Sequence, residues 1–429
     1  MKLIKTYGRT AKAAATLIAH IEARGAVSTA KVGTVVSTIL ADVRQGGDEA
    51  VIKYANRFDN LDGQPLRVTP PEMLAAWNSI SPALQAAMRQ AQANIHAFAE
   101  AQRPEEWTLH QGNGLVTGQI VRPLASVGCY VPGGRYPLPS TVFMTVTPAQ
   151  VAGVPRIVIC SPKPATETLA AAHLASLASS SPIEFYRIGG AQAIAALAYG
   201  TQTIGRVEKI VGPGNIYVLA AKAAVSHEVG IDMSAGPTEI GVLSETGTPS
   251  GIAADLVAQA EHDPEVLAVF ITTNETLAAA VLAETRIQAR QNPIAKQSLA
   301  ANGAIFVTQN LAEARTLTNR LAFEHLSVDA MSDLAWVTAA GSVFVGRFSP
   351  QSMGDYISGP NHVLPTGRAG RVRGGLAVQD FLKVITIQQY TRPALVELGL
   401  HAIALAEAEG LIGHAQSIRV KLERKTRAQ

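Results

Sequence analysis

Cysteine is scarce. Cys129 and Cys160 are the only two in 429 residues. Both sit in apolar, strand-like runs and read as buried, inert thiols rather than a bridge or a nucleophile. Charge is also sparse: 16% of residues are charged and 47% hydrophobic, which excludes a disordered chain. The net charge is +3, and the Lys and Arg residues are scattered. No concentrated basic patch exists for a nucleic-acid backbone, and the basic tail Lys421–Arg427 reads as a solvated terminus. No apolar run approaches the ~20 residues of a membrane span. The segment Met1–Arg24 lacks an apolar signal core and a cleavage site, so it reads as a structural helix. Such a chain fits a cytoplasmic enzyme with neither membrane nor nucleic acid as partner. No G-x-G-x-x-G follows a strand-like run, and there is no G-x-x-x-x-G-K-[ST], so a nucleotide site would not be built on the usual fingerprints.

What is present is an alternation. Residues 28–98 are mostly helical in spacing, with a break at Gly46-Gly47 and another at Pro82, and a β-rich patch covers Trp107–Pro123. Strand-like runs at Val127–Val131, Arg156–Cys160, Glu184–Ile188 and Val207–Val211 then alternate with helical runs at 167–178, 190–199 and 215–229. A second series follows, with strands at Glu239–Leu243, Leu267–Thr272, Ala304–Val307 and Ser342–Val345 and helices between them. Strands alternating with helices of this length predict parallel βαβ units, hence two doubly wound halves, without a sequence repeat between them. Gly189-Gly190 and Gly212-Pro213-Gly214 fall at strand-to-helix turns, where a backbone without Cβ can approach a phosphate. Residues 376–429 read as helical around a strand at Lys383–Gln388.

Four histidines have company. Gln259 and His262 close an alanine-rich helical run, and three-residue spacing places both on one face, where an amide oxygen and an imidazole can hold a metal. The same spacing suits hydrogen-bonded surface residues. Glu324-His325 point in different directions and could flank one substrate as separate bases, or be an exposed Glu beside a helix-end His. Asp355 and His362 flank a turn-rich loop, where they could bind metal or substrate or cap turns. His414 follows Gly410, the expected end of a helix over 395–409, and alone reads as a cap. Together, Gln259, His262, Asp355 and His414 would form a mixed N/O shell without cysteine, the composition of an open, substrate-binding site rather than a structural one.

Several motifs, in order, resemble histidinol dehydrogenase: Val131-Pro-Gly-Gly134 with Pro137-Leu-Pro-Ser140, Gly189-Gly-Ala-Gln192, and Ile210-Val-Gly-Pro-Gly-Asn215. Further along the chain come Gly230-Ile-Asp-Met233 with Ala235-Gly-Pro237, Gln259-Ala-Glu-His262-Asp263, Glu324-His325-Leu326 and Asn361-His-Val-Leu-Pro-Thr366. The resemblance spans about residues 28 to 414. It implies oxidation of L-histidinol through L-histidinal to L-histidine with two NAD+, the last steps of histidine biosynthesis. It implies one zinc ion per subunit, held by Gln259, His262, Asp355 and the partner's His414. Glu324 would activate water and His325 would take protons. Thr238, Gln259, His262, His325, Asp355, His362, Glu409 and His414 would contact substrate, Glu409 also reaching across the dimer. Tyr130, Gln192 and Asn215 would contact NAD. The implied fold is an intertwined homodimer with shared active sites. Each subunit would have two incomplete Rossmann-like domains and small helical termini. The expected boundaries are a helical arm at 1–23, a zinc-bearing and catalytic domain at 24–129 plus 239–377, an NAD-binding domain at 130–238 and a dimerisation segment at 378–429.

The chain departs from the family pattern at three places. Thr238 stands at a serine position, Phe323 precedes Glu324 where proline is usual, and the stretch 368–376 carries Arg368, Arg371 and Arg373. Those arginines read as a solvated loop, or as a pocket for an anionic alcohol such as a dihydroxypropane sulfonate, which members of the wider family oxidise. A non-catalytic, ligand-binding relative is a third reading, which the presence of Glu324, His325 and every expected zinc ligand disfavours.

Overall fold

Strand and helix alternate as the apolar runs predict. The computed structural model describes residues 1–24, 30–133, 137–178, 183–233 and 236–423. One six-stranded sheet has the order Lys2–Lys5, Ala304–Val307, Leu267–Thr272, Glu239–Leu243, His325–Val328 and Ser342–Val345, all parallel. Three of its four inner strands, those from Glu239, Leu267 and Ala304, are buried at every residue. Helices cover both faces of such a sheet, so its strands read as unbroken apolar runs rather than alternating ones.

The second six-stranded sheet runs Arg67–Val68, Glu184–Tyr186, Ile157–Cys160, Val127–Tyr130, Lys209–Val211 and Gly230–Ile231. Only Arg67–Val68 pairs antiparallel. Apart from the early edge strands Lys2–Lys5 and Arg67–Val68, each sheet starts from a central strand, Glu239–Leu243 or Val127–Tyr130, adds strands outward on one side and then two on the other. The halves therefore share a winding order without sharing sequence, and each has a switch point beside that central strand.

The helices Ala30–Gly46 and Asp48–Asp59 break at Gly47, whose φ is 53°. The run beyond them breaks at Pro82, with Ser81 capping the helix Pro82–Ala101 by accepting a bond from Leu84 N. These helices pack on the second sheet. Val36, Ile39, Val43, Val51 and Tyr54 pack in one core with Tyr130, Val158, Ile194 and Leu197, so this segment covers the second sheet rather than the one formed by residues 239–345. Residues 1–23 hold the helix Ala11–Ala23 and a strand before it. Their first strand extends the first sheet beside Ala304–Val307, and Ile18 and Ile21 pack in the core with Leu321 and Phe323. The periodicity of these helices marks an apolar face but not which sheet receives it.

The helix Pro139–Ala152 is absent from the sequence reading. Eleven of its residues are buried and Pro148 lies inside it, so it has no polar face to reveal a helical period.

The chain divides into two units, the larger made of residues 1–102 and 124–381. The smaller comprises 103–123 and 382–429, so the expected C-terminal segment acquires the strand pair around residues 107–123. In it Leu382–Tyr390, Leu115–Pro123 and Trp107–His110 form an antiparallel sheet. The helices Arg392–Ala408 and Ile412–Glu423 pack through Ile403, Ala406 and Ala415. Among the described residues no helix is long and apolar enough to cross a membrane.

Candidate active site

Glu324 and His325 lie where the strand His325–Val328 begins, and both are buried. Parallel pairing sets His325 beside Ile240, so the adjoining Glu239 comes next to Glu324. Glu239 N donates to Glu324 Oε2 at 2.9 Å, and Gly367 N donates to Glu239 Oε1 at 3.1 Å. Burial, with the Glu324 charge, pushes the Glu239 carboxyl up to about 8. Phe323, the departure before Glu324, is buried against Gly241. A Cβ at Gly241 would lie 2.1 Å from the Phe323 ring, so the missing side chain is what admits the phenyl group.

The His325 ring stacks on Phe344, with centroids 5.9 Å apart. Its Nδ1 is 3.6 Å from Glu324 Oε2 and its Nε2 3.5 Å from Asp355 Oδ1. Burial alone would lower this imidazole, but the Glu324 and Asp355 carboxylates outweigh it and raise it to about 10. Burial pushes Asp355 up, yet its contact with His325 outweighs that and leaves it below the ordinary value. Asp355 is carried by the short helix Gln351–Tyr356.

Gln259 is buried in the last turn of Pro249–Ala260 and donates from Nε2 to Asp355 Oδ2 at 3.2 Å. The expected shared helical face with His262 is not found. The helix stops at Ala260 because Pro264 disfavours helical backbone at Asp263, and His262 lies exposed in the turn. The turn still keeps His262 close, since His262 N donates to Gln259 O at 3.2 Å.

His362 has both ring nitrogens engaged. Nδ1 is 2.8 Å from the Asp355 carbonyl and Nε2 is 3.2 Å from Thr141 Oγ1. Burial lowers it, which favours a neutral ring with Nδ1–H donating to the carbonyl and the Thr141 hydroxyl donating to Nε2. Asn361 Nδ2 donates to Met144 O at 2.6 Å, so this loop is fastened to the helix Pro139–Ala152 at two points. Thr238 is half-buried immediately before Glu239. Glu409 and His414 belong to the smaller unit, Glu409 ending the helix Arg392–Ala408 and His414 exposed in the next one.

The expected cofactor residues gather at the carboxyl ends of the second sheet, the usual ligand side of a doubly wound sheet. Tyr130 ends Val127–Tyr130, and its hydroxyl accepts from Gly190 N at 3.1 Å. Gln192 lies in the first turn of Gly190–Tyr199 and donates from Nε2 to Asp59 Oδ2 at 3.0 Å. Asn215 caps Ile216–Val225, its Oδ1 accepting from Tyr217 N and Val218 N. That leaves its amide NH2 as the group available to a ligand.

Sequence reasoning missed Asp59, Thr141 and Glu239. Asp59 also accepts from Gly189 N at 2.9 Å and so orients Gln192. Each acts on a residue far away in the chain, and no local spacing signals that.

A family model for histidinol dehydrogenase matches residues 22–422. The chain belongs to the histidinol dehydrogenase family. The histidinol dehydrogenase of Geobacillus kaustophilus is 47% identical, with 91% of this chain and 93% of that protein covered. That of Sulfurimonas denitrificans is 40% identical, covering 93% and 95%. The crystal structure of the Elizabethkingia anophelis histidinol dehydrogenase superposes with a TM-score of 0.87 at 35% identity, covering 91% and 92%. Family membership makes the chain an NAD-dependent oxidoreductase with Rossmann-like sheets.

Within this family the anionic-alcohol reading loses its footing. Arg368 lies 3.5 Å from Glu22, and Arg373 pairs with Asp380 at 3.2 Å, so both are engaged internally. Arg371 is exposed. Cys129 and Cys160 are free and buried, and burial pushes the Cys129 thiol up to about 12.

Among the described residues no three His, Cys, Asp or Glu side chains are grouped to hold a metal ion. The expected set draws only His262 and Asp355 of those types from the larger unit, and its third donor there is an amide. The residues nevertheless fit zinc. Gln259 Oε1 is buried without a hydrogen-bond partner, a costly arrangement that a bound cation relieves. Beside it lie the Asp355 carboxylate and the nearby His262 imidazole, a borderline-soft N/O donor set.

Proposed function

We propose that the chain oxidises L-histidinol through L-histidinal to L-histidine, using zinc and two NAD+ per turnover. The observation that carries this reading is the contact set Gln259–Asp355–His325–Glu324. Its contacts, among a buried amide, two carboxylates and an imidazole, support a metal acceptor and two proton-handling groups in one site.

Gln259, His262 and Asp355 would hold the zinc, with His414 of the partner subunit as the fourth donor. Four-coordination needs one donor beyond the three that the larger unit supplies. Bound there, the ion would anchor substrate and take up the Asp355 charge that otherwise keeps His325 protonated. With NAD+ as the hydride acceptor in both oxidations, His325 would take the hydroxyl proton of the alcohol. Glu324 would remove a proton from the water that adds to the aldehyde, while His325 returns its proton to the carbonyl oxygen. His325, free again, would then take a hydroxyl proton from the hydrate, giving the acid. Glu324 is steadied for this by the Glu239 N–H. Thr238, beside that strand, and Glu409 complete the proposed substrate contacts. The engaged ring of His362 makes it a wall that fixes Asp355 rather than a free donor.

Tyr130, Gln192 and Asn215 would contact NAD at the carboxyl edge of the second sheet. We further propose a homodimer with shared sites, in the cytoplasm. A test is NADH formation by zinc-loaded protein with L-histidinol against dihydroxypropane sulfonate. Turnover of histidinol alone is expected, and turnover of the sulfonate alone would overturn the assignment.

A further inference from the structure

We infer that Lys222 and Asp232 are positioning residues for the cofactor loop Gly212–Asn215. The inference rests on the reading of Asn215 as a cofactor contact.

Gly212 follows the strand Lys209–Val211 with φ 112°, a conformation that L side chains rarely adopt. A Cβ there would lie 2.1 Å from the carbonyl oxygen of Tyr130, so the backbone of one expected cofactor residue packs directly on the loop that leads to another. Both polar groups of Gly212 go to one ion pair. Gly212 N donates to Asp232 Oδ2 at 2.7 Å, and Lys222 Nζ donates to Gly212 O at 3.0 Å. Lys222 also donates to Asp232 Oδ1, which accepts from Met233 N at 2.6 Å as well. The side chains are 1% and 0% exposed. Arg373 holds the other side of this arrangement by donating to the Asp232 carbonyl and pairing with Asp380.

An ion pair this deeply buried gives little net stability over an apolar pair of the same volume. What an apolar pair cannot do is receive an N–H and satisfy a C=O of the same glycine. The pair therefore sets the direction in which the chain leaves the sheet, through Pro213 and Gly214, to Asn215. Asn215 in turn spends its oxygen on the helix cap and presents its amide at a place fixed by Gly212.

The test is the double variant Lys222→Met/Asp232→Leu, which removes both charges together and leaves neither uncompensated. NADH affinity is read by fluorescence titration, alongside KM for NAD+, KM for L-histidinol and the thermal midpoint. The expected result is a roughly 10-fold or greater loss of NADH affinity and the same rise in KM for NAD+. KM for L-histidinol stays put, kcat stays within about threefold and the thermal midpoint is near wild type. Unchanged NADH affinity, or an equal rise in both KM values, would overturn the inference in favour of a merely structural pair. If the double variant does not fold, Asp232→Asn carries the test with a rise of about threefold and the same criteria. Asn215→Ala separates the two readings. If it leaves NADH affinity unchanged, the cofactor-loop reading fails. If it weakens NADH while the pair variants do not, only the positioning role fails.

Discussion

Asp355 Oδ1 lies 3.5 Å from His325 Nε2, so the proposed metal ligand and the proposed base touch through one carboxylate. Its other oxygen accepts from Gln259. Metal binding and base strength are therefore coupled through a single side chain, and removing its charge disturbs both.

Asp355→Asn is expected to lower zinc content at least about tenfold, because an amide is a far poorer ligand than a carboxylate beside a neutral Gln259. Turnover falls by roughly 10³-fold with it. Metal analysis of the purified protein together with NADH formation checks this. Full zinc content with lost activity would move Asp355 from the metal to the base.

Glu324→Gln separates the two oxidations. Water activation belongs only to the second, so the step from L-histidinal is expected to slow by about 10²-fold or more while the alcohol step loses under about tenfold. The variant keeps an oxygen for the Glu239 N–H, so the local fold has no reason to change. Single-turnover rates starting from each substrate decide the matter, and equal losses would count against the assigned role.

The neighbours Glu324 and His325 read equally as an exposed Glu beside a helix-end His until the family resemblance gave them a role. Most of the alternation that builds the two sheets was legible in the chain, but the strand His325–Val328 was not. Nor was the helix Pro139–Ala152, since burial on all sides erases periodicity. Asp59, Thr141 and Glu239 were hidden for a different reason. They touch Gln192, His362 and Glu324 across separations that only the winding of the sheets closes. The Gln259/His262 pair was found for a partly wrong reason. The two residues are close because a turn folds back, not because a helix continues.

Asp255, one turn before Gln259 on the helix Pro249–Ala260, makes a pH-dependent contribution to stability. Burial pushes its carboxyl up to about 6 from an ordinary 3.8. A raised folded-state value means that stability is fully present below about pH 4 and is lost as pH rises toward 6. Asp255→Asn has no such ionisation. It should match wild type near pH 4 and exceed it above pH 6 by a few degrees in thermal midpoint. Parallel melting curves across that range would expose the error if the gap did not widen with pH.

Gly241 and Phe323 form a size-matched pair. Gly241→Ala is expected to destabilise by about 1–3 kcal/mol through overpacking against the phenyl ring. Adding Phe323→Leu should recover part of the loss, as a urea unfolding series can show. Independent, additive effects would mean that the ring does not occupy that space.

Shared sites have a distinct signature. His262→Ala and His414→Ala would each be inactive, but unfolding and refolding them as an equal mixture should restore about a quarter of the wild-type sites if each site takes His414 from the other subunit. A mixture no more active than its parts would place all ligands in one chain.

The central claim is a four-electron oxidation carried out by one site. Its most direct measurement is the ratio of NADH formed to L-histidinol consumed by zinc-loaded protein at completion, with the product identified. The account predicts two NADH per histidinol and L-histidine as the product. One NADH with L-histidinal accumulating, or no NADH from histidinol at all, would contradict it.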